Sequence, residues 1–305
     1  MTETVRLQGE VGWIGVGKMG NPMATRLIEA GHRLVVCDPL VENRASLVAR
    51  GAQAAASPAD IAGLCQIIFT TIPNDKVLAE LIYGGVGHTG LLAAVTEGTV
   101  LIEMSTVSPH LSEQIARDLA AHGVSYLRCP ISGSTALART GELTALGSGD
   151  AAAWDLVAPL MDVLAKRKFY LGRGEEARYM KLVLNTLVGA TSSILGEALV
   201  LGEQGGLSAA LMMEVIVESA VSSPLIRYKQ EMLAQMDFTP AFSVMQMIKD
   251  FKLITEAGQK KSVPMFLANQ ILQQYSVAAN VGYADRDFFS LFDWMRTSYG
   301  LTEAG

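Results

Sequence analysis

The sequence predicts an α/β fold, with a doubly wound parallel β-sheet in the N-terminal part and an all-α C-terminal part that a long interdomain helix joins to it. Two observations carry this prediction. Up to about residue 172, short apolar runs alternate with segments whose apolar residues recur at helical spacing, which is the pattern of βαβ units. Beyond that residue, only helical patterns follow. The apolar runs are also nearly continuous, as in parallel strands covered on both faces.

The first part of the chain contains seven apolar runs of strand length and one weaker run. Strands are predicted at 11–16, 34–38, 66–72, 99–103, 125–129, 143–147 and 168–171, with a weak strand near 52–54. Helical patterns lie between them at 22–30, 42–50, 58–64, 75–83, 109–122 and 151–165. This alternation predicts right-handed crossovers between parallel strands.

The second part of the chain is helical by pattern throughout. The segments are 175–204, 208–220, 225–235, 242–259, 264–279 and 285–299. Gly205 and Gly206 end the first segment, as glycines often do at helix C-termini. At 1.5 Å per residue this helix would be about 45 Å long, enough to connect two domains. We therefore predict a first domain at 1–172 and an all-helical second domain at 173–305.

The composition is that of a large globular protein. Half of the 305 residues are hydrophobic, and the mean hydropathy is +0.29. The most apolar stretch, 182–201, is interrupted by Asn, Thr, Ser and Glu residues, so we expect no membrane span. Residues 1–10 lack the apolar core of a signal peptide, and a cytoplasmic location is expected.

Cysteine, histidine and charge patterns exclude several classes of site. The three cysteines, Cys37, Cys65 and Cys129, lack paired spacing and are predicted to be reduced and buried or nearly so. No H-x-x-x-H pattern occurs among the four histidines, so no metal site is predicted. The net charge is −6 and the densest basic run is only 166–168, which argues against nucleic-acid binding.

A glycine-rich segment lies where the first predicted strand ends. Gly15, Gly17 and Gly20 form a G-x-G-x-x-G motif between that strand and the first helix. Gly15 would permit a tight turn, Gly17 a close approach of the backbone to a pyrophosphate, and Gly20 close packing of helix and strand. The helix N-terminus would then face the phosphates. A purely structural glycine turn is the alternative, but the strand–turn–helix order favours a Rossmann-type dinucleotide site in domain 1–172.

The end of the second predicted strand bears on the choice of dinucleotide. Asp38 lies 18 residues after Gly20, near the position where a carboxylate accepts hydrogen bonds from the adenosine ribose. The next residue is Pro39 and the nearest arginine is Arg44, so no 2′-phosphate site is evident. The pattern favours NAD over NADP. The alternative is that Asp38 merely caps a turn with Pro39.

Two lysine-containing segments in the helical part are candidates for chemistry. Lys181 and Asn185 are four residues apart on the predicted long helix and share one face. Lys181 either extends along apolar surface to solvent or lies in a cleft, and the polar Asn185 nearby favours a polar cavity. The second segment contains Lys249 and Asp250, which on local grounds are ordinary solvated charges.

Four motifs in order over nearly the whole chain resemble those of the β-hydroxyacid dehydrogenase family, which includes 3-hydroxyisobutyrate dehydrogenases and tartronate semialdehyde reductases. They are the segment 14–23 with both Met19 and Met23, the segment 103–109 with Glu103, Ser105 and Thr106, the loop Pro130-Ile-Ser132-Gly133-Ser134, and Lys181-x-x-x-Asn185 together with Lys249-Asp250-x-x-Leu253. Any one motif could arise by chance, but the four together are specific.

The resemblance implies an enzyme that uses NAD or NADP to interconvert a small β-hydroxy acid and its semialdehyde or keto form. Lys181 would be the general acid/base, with burial and a nearby Lys249 lowering its pKa toward the working range, and Asn185 would orient substrate or lysine. The remaining implied roles are substrate binding by Ser132, Gly133 and Ser134, and cofactor binding by Gly15, Gly17, Lys18, Met19, Asp38, Ile72, Pro73, Thr106 and Lys249.

The resemblance also implies a homodimer or homotetramer, and the methionine-rich helical part is in keeping with a subunit interface. Two departures from the family pattern are Arg128-Cys129 before the loop and Ser134 in place of its second glycine. Ser134 raises the prospect of an unusual acid group or a larger substrate, whereas Arg128 is predicted to form a surface or interdomain ion pair rather than bind substrate. Asp285-Arg-Asp287 is predicted to cap a helix. The alternatives are an imine reductase, which generally lacks the lysine at 181, and a non-catalytic dinucleotide-binding protein.

Overall fold

The computed structural model describes residues 9–300, so most of the segment 1–10 considered above for a signal peptide lies outside it. The chain divides into two compact units, Met1–Lys181 and Leu182–Gly305. The division falls inside a long helix that contributes to both units. The domain boundary at 172–173 therefore remains a prediction.

The strands that the structure describes in the first unit include the eight that the sequence predicted. The described strands are β1 (Val11–Ile14), β2 (Leu34–Cys37), β3 (Gln53–Ala54), β4 (Ile67–Thr70), β5 (Gly84–Gly85), β6 (His88–Thr89), β7 (Val100–Glu103), β8 (Ser125–Arg128), β9 (Ile131–Ser132), β10 (Leu143–Gly147) and β11 (Ala165–Tyr170). Every residue of β1, β2, β4 and β7 is buried, which explains why these runs are continuously apolar rather than alternating.

Six of these strands form one parallel sheet in the order β3-β2-β1-β4-β7-β8. This is the doubly wound order, in which the strand sequence reverses between β1 and β4. The crevice at the carboxyl ends of those two strands is where such sheets bind ligands. The fold class predicted from the sequence is confirmed.

Five of the seven helices described in the first unit, all but the first two, begin after a residue whose side chain caps them. The seven are α1 (Gly20–Glu29), α2 (Val41–Val48), α3 (Pro58–Leu64), α4 (Asp75–Tyr83), α5 (Pro109–Ala120), α6 (Thr135–Thr140) and α7 (Ala151–Leu164). Ser57 forms a capping box with Asp60, and the side chains of Asn74, Ser108 and Asp150 accept hydrogen bonds from the first turns of α4, α5 and α7.

The last strands of the first unit form a second, smaller sheet instead of extending the first. Its order is β11-β10-β9, with β10 parallel to β11 and antiparallel to β9. A single bridge between Arg128 and Ser148 connects β8 to this sheet. Strand β9, the β5–β6 hairpin and helix α6 were not predicted, because segments of two to six residues are too short to show a period.

The second unit is helical in all its regular elements, as predicted. The helices are α8 (Glu176–Gln204), which begins in the first unit, α9 (Ala209–Glu218), α10 (Pro224–Gln235), α11 (Val244–Lys260), α12 (Phe266–Ala278) and α13 (Leu291–Ser298). The predicted helix 285–299 is shorter in the structure, because Asp287 caps a separate 3₁₀ turn at Phe288–Ser290. The predicted capping role of Asp287 is thus correct.

Helix α8 is the one helix among the described residues that is long and apolar enough to cross a membrane. In its most apolar window, 44% of the residues are buried inside the protein. Core helices of soluble proteins pass the same test, so this observation is weak support for a membrane span.

The three cysteines lie in the first unit, unpaired and buried, as predicted. Burial raises the pKa of the Cys65 thiol to about 11 and that of the Cys129 thiol to about 12.

Candidate active site

The glycine-rich turn between β1 and α1 contains two glycines that the fold requires, Gly15 and Gly20, and one that it does not, Gly17. Gly15 has φ +83°, and a Cβ there would overlap the carbonyl oxygen of Thr71. A Cβ on Gly20 would overlap the carbonyl oxygen of Gly15. A Cβ on Gly17 would have only Asn43 Nδ2 near it, at 3.8 Å. The space beside Gly17 therefore suits a ligand group that approaches the backbone, as a pyrophosphate does.

Asp38 is buried and holds this turn in place. Its Oδ2 accepts a hydrogen bond from the Val16 N–H at 2.9 Å, and its Oδ1 accepts from the Leu40 N–H and from Asn43 Nδ2, both at 2.9 Å. The bond from Leu40 is the turn cap that the sequence left open as an alternative. Because a carboxylate has about four acceptor positions, capping does not exclude a ribose hydrogen bond.

Helix α2 is tied to the glycine-rich turn by residues that the sequence analysis missed. Asn21 Nδ2 donates to the carbonyl oxygen of Asn43 at 2.8 Å and to Ser46 Oγ at 2.9 Å. Gly17, Lys18, Asn21 and Asn43 line one end of an open groove. The only sequence signal for these asparagines was their location next to the glycine motif and after Asp38.

Two segments after neighbouring strands meet at the same sheet edge. Thr71 Oγ1, which follows β4, donates to the carbonyl oxygen of Gly15 and accepts from Trp13 Nε1 at 2.9 Å. The Ile72 N–H donates to Ser105 Oγ at 2.7 Å, which joins the segment after β4 to the segment after β7. The predicted cofactor residues Ile72 and Thr106 thus belong to two connected loops beside the glycine-rich turn.

The predicted substrate loop runs from β9 into α6. Ser132 pairs with Thr144 of β10, and Gly133 has φ +140° with a Cβ position 2.7 Å from Leu143 Cδ2. Ser134 is the N-cap of α6, and its Oγ accepts from the Leu137 N–H at 3.5 Å. The serine that replaces the family's glycine therefore has a structural function at a helix start.

Arg128, the other departure from the family pattern, forms a buried ion pair. Its Nε donates to Glu175 Oε1 at 2.7 Å, and its guanidinium lies 5.0 Å from the centre of the Tyr126 ring. Arg128 thus forms an ion pair, as predicted, but the pair is buried within the first unit and does not lie on the surface or between the units.

Lys181 is the last residue of the first unit and is half-buried in the second turn of α8. Asn185 follows one turn later in the second unit and is 7% exposed. Within the second unit, Asn185 Nδ2 donates to Asp250 Oδ2, and Lys249 Nζ lies 3.0 Å from Asp250 Oδ1.

Asp250 is therefore a buried carboxylate that joins two predicted site residues, Asn185 and Lys249. It is 1% exposed, so the view that Lys249 and Asp250 are ordinary solvated charges is wrong for Asp250. A sequence signal existed, because Asp250 lies at helical spacing from the apolar residues Met247 and Ile254, on the buried face of α11.

Known protein families match both units of the chain. Residues 10–172 match the NAD-binding domain of 6-phosphogluconate dehydrogenase, and residues 175–295 match the NAD-binding domain of NADP-dependent 3-hydroxyisobutyrate dehydrogenase. The chain belongs to the β-hydroxyacid dehydrogenase family. This β-hydroxyacid dehydrogenase is an NAD(P)-dependent oxidoreductase that acts on CH–OH groups.

Relatives of this β-hydroxyacid dehydrogenase match along nearly the whole chain. The 2-(hydroxymethyl)glutarate dehydrogenase of Eubacterium barkeri is 32% identical over 97% of this chain and 98% of its own length. Glyoxylate/succinic semialdehyde reductase 1 of Arabidopsis thaliana is 29% identical over 95% and 99%. The crystal structure of 3-hydroxyisobutyrate dehydrogenase from Salmonella typhimurium has a TM-score of 0.84 at 25% identity, covering 94% of this chain and 100% of that one.

Proposed function

We propose that this enzyme interconverts a small β-hydroxy acid and its semialdehyde or keto form, with Lys181 as the general acid/base and NAD as the preferred cofactor. The observation that carries the proposal is the buried Asp250, which hydrogen-bonds Asn185 and pairs with Lys249. A carboxylate is seldom buried unless it holds other polar groups. Here the groups that it holds are two of the predicted site residues, and one of them, Asn185, lies a single turn from Lys181.

The cofactor would be held by the turn and loops at the carboxyl ends of β1, β2 and β4. The pyrophosphate would lie against the backbone of residues 15–19, the ribose against Asp38, and the nicotinamide near Ile72, Pro73 and Thr106. A bound dinucleotide supplies the acceptor for a hydride in one direction and its donor in the other. Lys249 would contact it from the helical unit.

Ser132 and Gly133 would bind the substrate carboxylate through a hydroxyl and a backbone N–H. The positive φ of Gly133 supports this, since the loop needs a glycine to turn at that point. Ser134 would contribute its N–H, because its hydroxyl already caps α6.

Lys181 would move the proton of the reacting hydroxyl. In oxidation the carbinol C–H bond breaks with its electron pair leaving as hydride, the O–H proton passes to neutral Nζ, and a C=O bond forms. In reduction the Lys181 ammonium returns the proton to the carbonyl oxygen. Asn185 would orient the substrate or Lys181, because the second N–H of its Nδ2 can donate to the reacting oxygen and its Oδ1 can accept from the Lys181 ammonium.

The names of the relatives narrow the substrate class. 2-(Hydroxymethyl)glutarate, 3-hydroxyisobutyrate and L-serine, after which three of them are named, each carry a primary hydroxyl on the carbon β to a carboxylate. We infer a substrate of this kind. The test is oxidation of these compounds with NAD and NADP, and reduction of glyoxylate and succinic semialdehyde with NADH and NADPH, followed by nicotinamide absorbance.

Lys181→Ala should lower kcat by about 10²–10⁴ while NADH binding, measured by fluorescence titration, is unchanged. Lys252→Ala is the matched control, because Lys252 is an exposed lysine on α11 beside the proposed site residue Lys249. Wild-type turnover in the Lys181 variant would overturn the role of the lysine. Higher kcat/KM with NADP than with NAD would overturn the cofactor preference.

Two alternatives are separated by the same assays. Imine reductases share the architecture, as the Pseudomonas enzyme does at a TM-score of 0.58 and 22% identity, which shows the fold alone. Turnover of cyclic imines without turnover of hydroxy acids would favour that class. NADH binding without turnover of any compound would favour a non-catalytic dinucleotide-binding protein.

We also propose a homodimer or homotetramer in the cytoplasm. Helix α8 carries an apolar row of Val183, Leu187, Ile194 and Leu201, each at least half exposed in the single chain. Most methionines of the helical part do not support an interface, since four of them lie in its core and three pack against it: Met212, Met213, Met247 and Met295, and Met232, Met236 and Met265. Light scattering after size-exclusion chromatography tests the assembly, and cell fractionation tests the location.

A further inference from the structure

Arg178, in the first turn of α8, is 1% exposed and uses its whole guanidinium within the first unit. Its Nη1 donates to the carbonyl oxygen of Ser105 at 2.8 Å, its Nε to Ser112 Oγ at 3.2 Å, and its Nη2 to the Tyr126 hydroxyl at 3.0 Å. One side chain thus connects α8 to the loop after β7, to α5 and to β8.

The same guanidinium forms an ion pair with Glu103, the last residue of β7, which is fully buried. Glu103 Oε1 also accepts a hydrogen bond from the Ser105 N–H at 2.9 Å. Burial is the largest single influence and lowers the pKa of Arg178, but Glu103, Tyr126 and Glu175 together outweigh it, and the pKa lies above its ordinary value. Arg178 is therefore charged and bound to both ends of the segment 103–105.

A second buried pair lies beside the first. Arg128 of β8 pairs with Glu175, which immediately precedes α8. The Tyr126 side chain lies between the two pairs, because its hydroxyl accepts from Arg178 and its ring faces the Arg128 guanidinium. Two arginines and two glutamates therefore attach the start of α8 to the strand ends of the sheet.

Buried ion pairs are a costly way to attach a helix. Their use here suggests that the direction of α8 matters. Burying an ion pair often stabilises a protein no more than well-packed apolar side chains of similar volume would. What a guanidinium adds is a planar, rigid set of donors that fixes orientation. The residue whose orientation is fixed is close by, since Lys181 follows Arg178 by three residues and lies about 60° around the helix and one turn along it.

We propose that Arg178 is a positioning residue that fixes Lys181 relative to the segment 103–106, which contains the proposed nicotinamide contact Thr106. This inference rests on the function proposed above. Arg178 also acts on the second proposed nicotinamide loop, which contains Ile72 and Pro73. It does so through Ser105, whose Oγ accepts a hydrogen bond from the Ile72 N–H. A displacement of about 1 Å in a reacting group can cost about 10² in rate, so loss of Arg178 should act on kcat.

The experiment measures kcat, KM, NADH affinity and the deuterium isotope effect with C4-deuterated NADH, using methylmalonate semialdehyde, the aldehyde form of 3-hydroxyisobutyrate, as the substrate. Arg178→Met should lower kcat on the order of 10² with KM and NADH affinity little changed. Its isotope effect should rise, because slower chemistry becomes rate-limiting. A merely structural role would reduce the amount of folded enzyme and leave the isotope effect as in the wild type.

Arg178→Lys keeps the charge but loses the fork of donors, so its kcat and isotope effect should lie between those of the wild type and those of Arg178→Met. The double variant Glu103→Leu/Arg178→Met should regain thermal stability, since no buried charge is left unpaired, but should keep the low kcat. Lys229→Met controls for loss of a buried pair elsewhere, because Lys229 pairs with Asp287 in the helical unit. It should lower the melting temperature and leave the isotope effect unchanged.

The inference is overturned if kcat follows the melting temperature across these variants, or if the isotope effect does not change. If Arg178→Met does not fold, Arg178→Lys and Glu103→Gln carry the same comparison. Failure of the proposed function is separate, because it would appear as absent wild-type turnover or as an active Lys181→Ala variant. An inactive Lys181→Ala with a fully active Arg178→Met would reject the positioning role alone.

Discussion

Replacing Gly17 with alanine should weaken cofactor binding without harming the fold. The backbone at Gly17 is not left-handed, and a Cβ there would meet only Asn43 Nδ2 at 3.8 Å. Alanine therefore fits the free protein, and lower entropy of the unfolded chain should leave the free energy of unfolding unchanged or raise it by up to about 1 kcal/mol. The methyl group would occupy the space proposed for the pyrophosphate, so the Kd for NADH should rise at least about tenfold, or about 1.4 kcal/mol.

Two other glycines supply the matched controls. Gly20→Ala should destabilise the protein by about 1–3 kcal/mol or more, because its Cβ would overlap the backbone oxygen of Gly15. Gly63 lies in helix α3 with nothing within 4 Å of a Cβ, so Gly63→Ala should stabilise the helix slightly and leave NADH affinity unchanged. Urea unfolding and fluorescence titration measure both quantities. The reasoning is refuted if Gly17→Ala binds NADH like the wild type, or unfolds as easily as Gly20→Ala.

Three further predictions concern single side chains. Asp250→Asn should lower kcat and reduce the free energy of unfolding in urea by about 1–3 kcal/mol. This loss is smaller than for a fully buried ion pair, because Lys249 reaches solvent. Unchanged kinetics would contradict the role of Asp250. At pH 8 no cysteine of the native protein should react with Ellman's reagent, because all three are buried and the pKa values of Cys65 and Cys129 are about 11 and 12. All three thiols should react in denaturant. A fast-reacting thiol in the native protein would be evidence against this. Ser134→Ala should cost about 1 kcal/mol in urea unfolding and Ser134→Gly only a few tenths, while equal costs would argue against a capping role.

The sequence predicted the main sheet well because its strands are buried on both faces. A strand such as β4 or β7 is apolar at every position but its last, so the run itself marks the element. The strand pairing in the small sheet was harder to predict. The apolar runs locate β10 and β11 but do not show which strands they pair with. The two-residue strand β9 contains no repeat from which its antiparallel pairing with β10 could have been read.

The candidate site was predictable where its chemistry is local in sequence. The glycine motif, Asp38 and the Lys181–Asn185 spacing each lie within one element and its neighbour. The role of Asp250 and the whole of Arg178 were missed because their partners are distant in sequence, at 65 residues for Asn185 and 52 to 75 residues for the groups around Arg178. A charged residue in an apolar helix signals a partner but does not identify it.

The two departures from the family pattern have a common explanation that bears on the substrate. Ser134 suggested an unusual acid group or a larger substrate, yet its hydroxyl caps α6. Arg128 is held by Glu175 and by the Tyr126 ring. Both polar groups are thus used within the first unit, and neither is a reason to expect a substrate outside the family's range. The features that select among β-hydroxy acids should therefore be sought at other residues than these two.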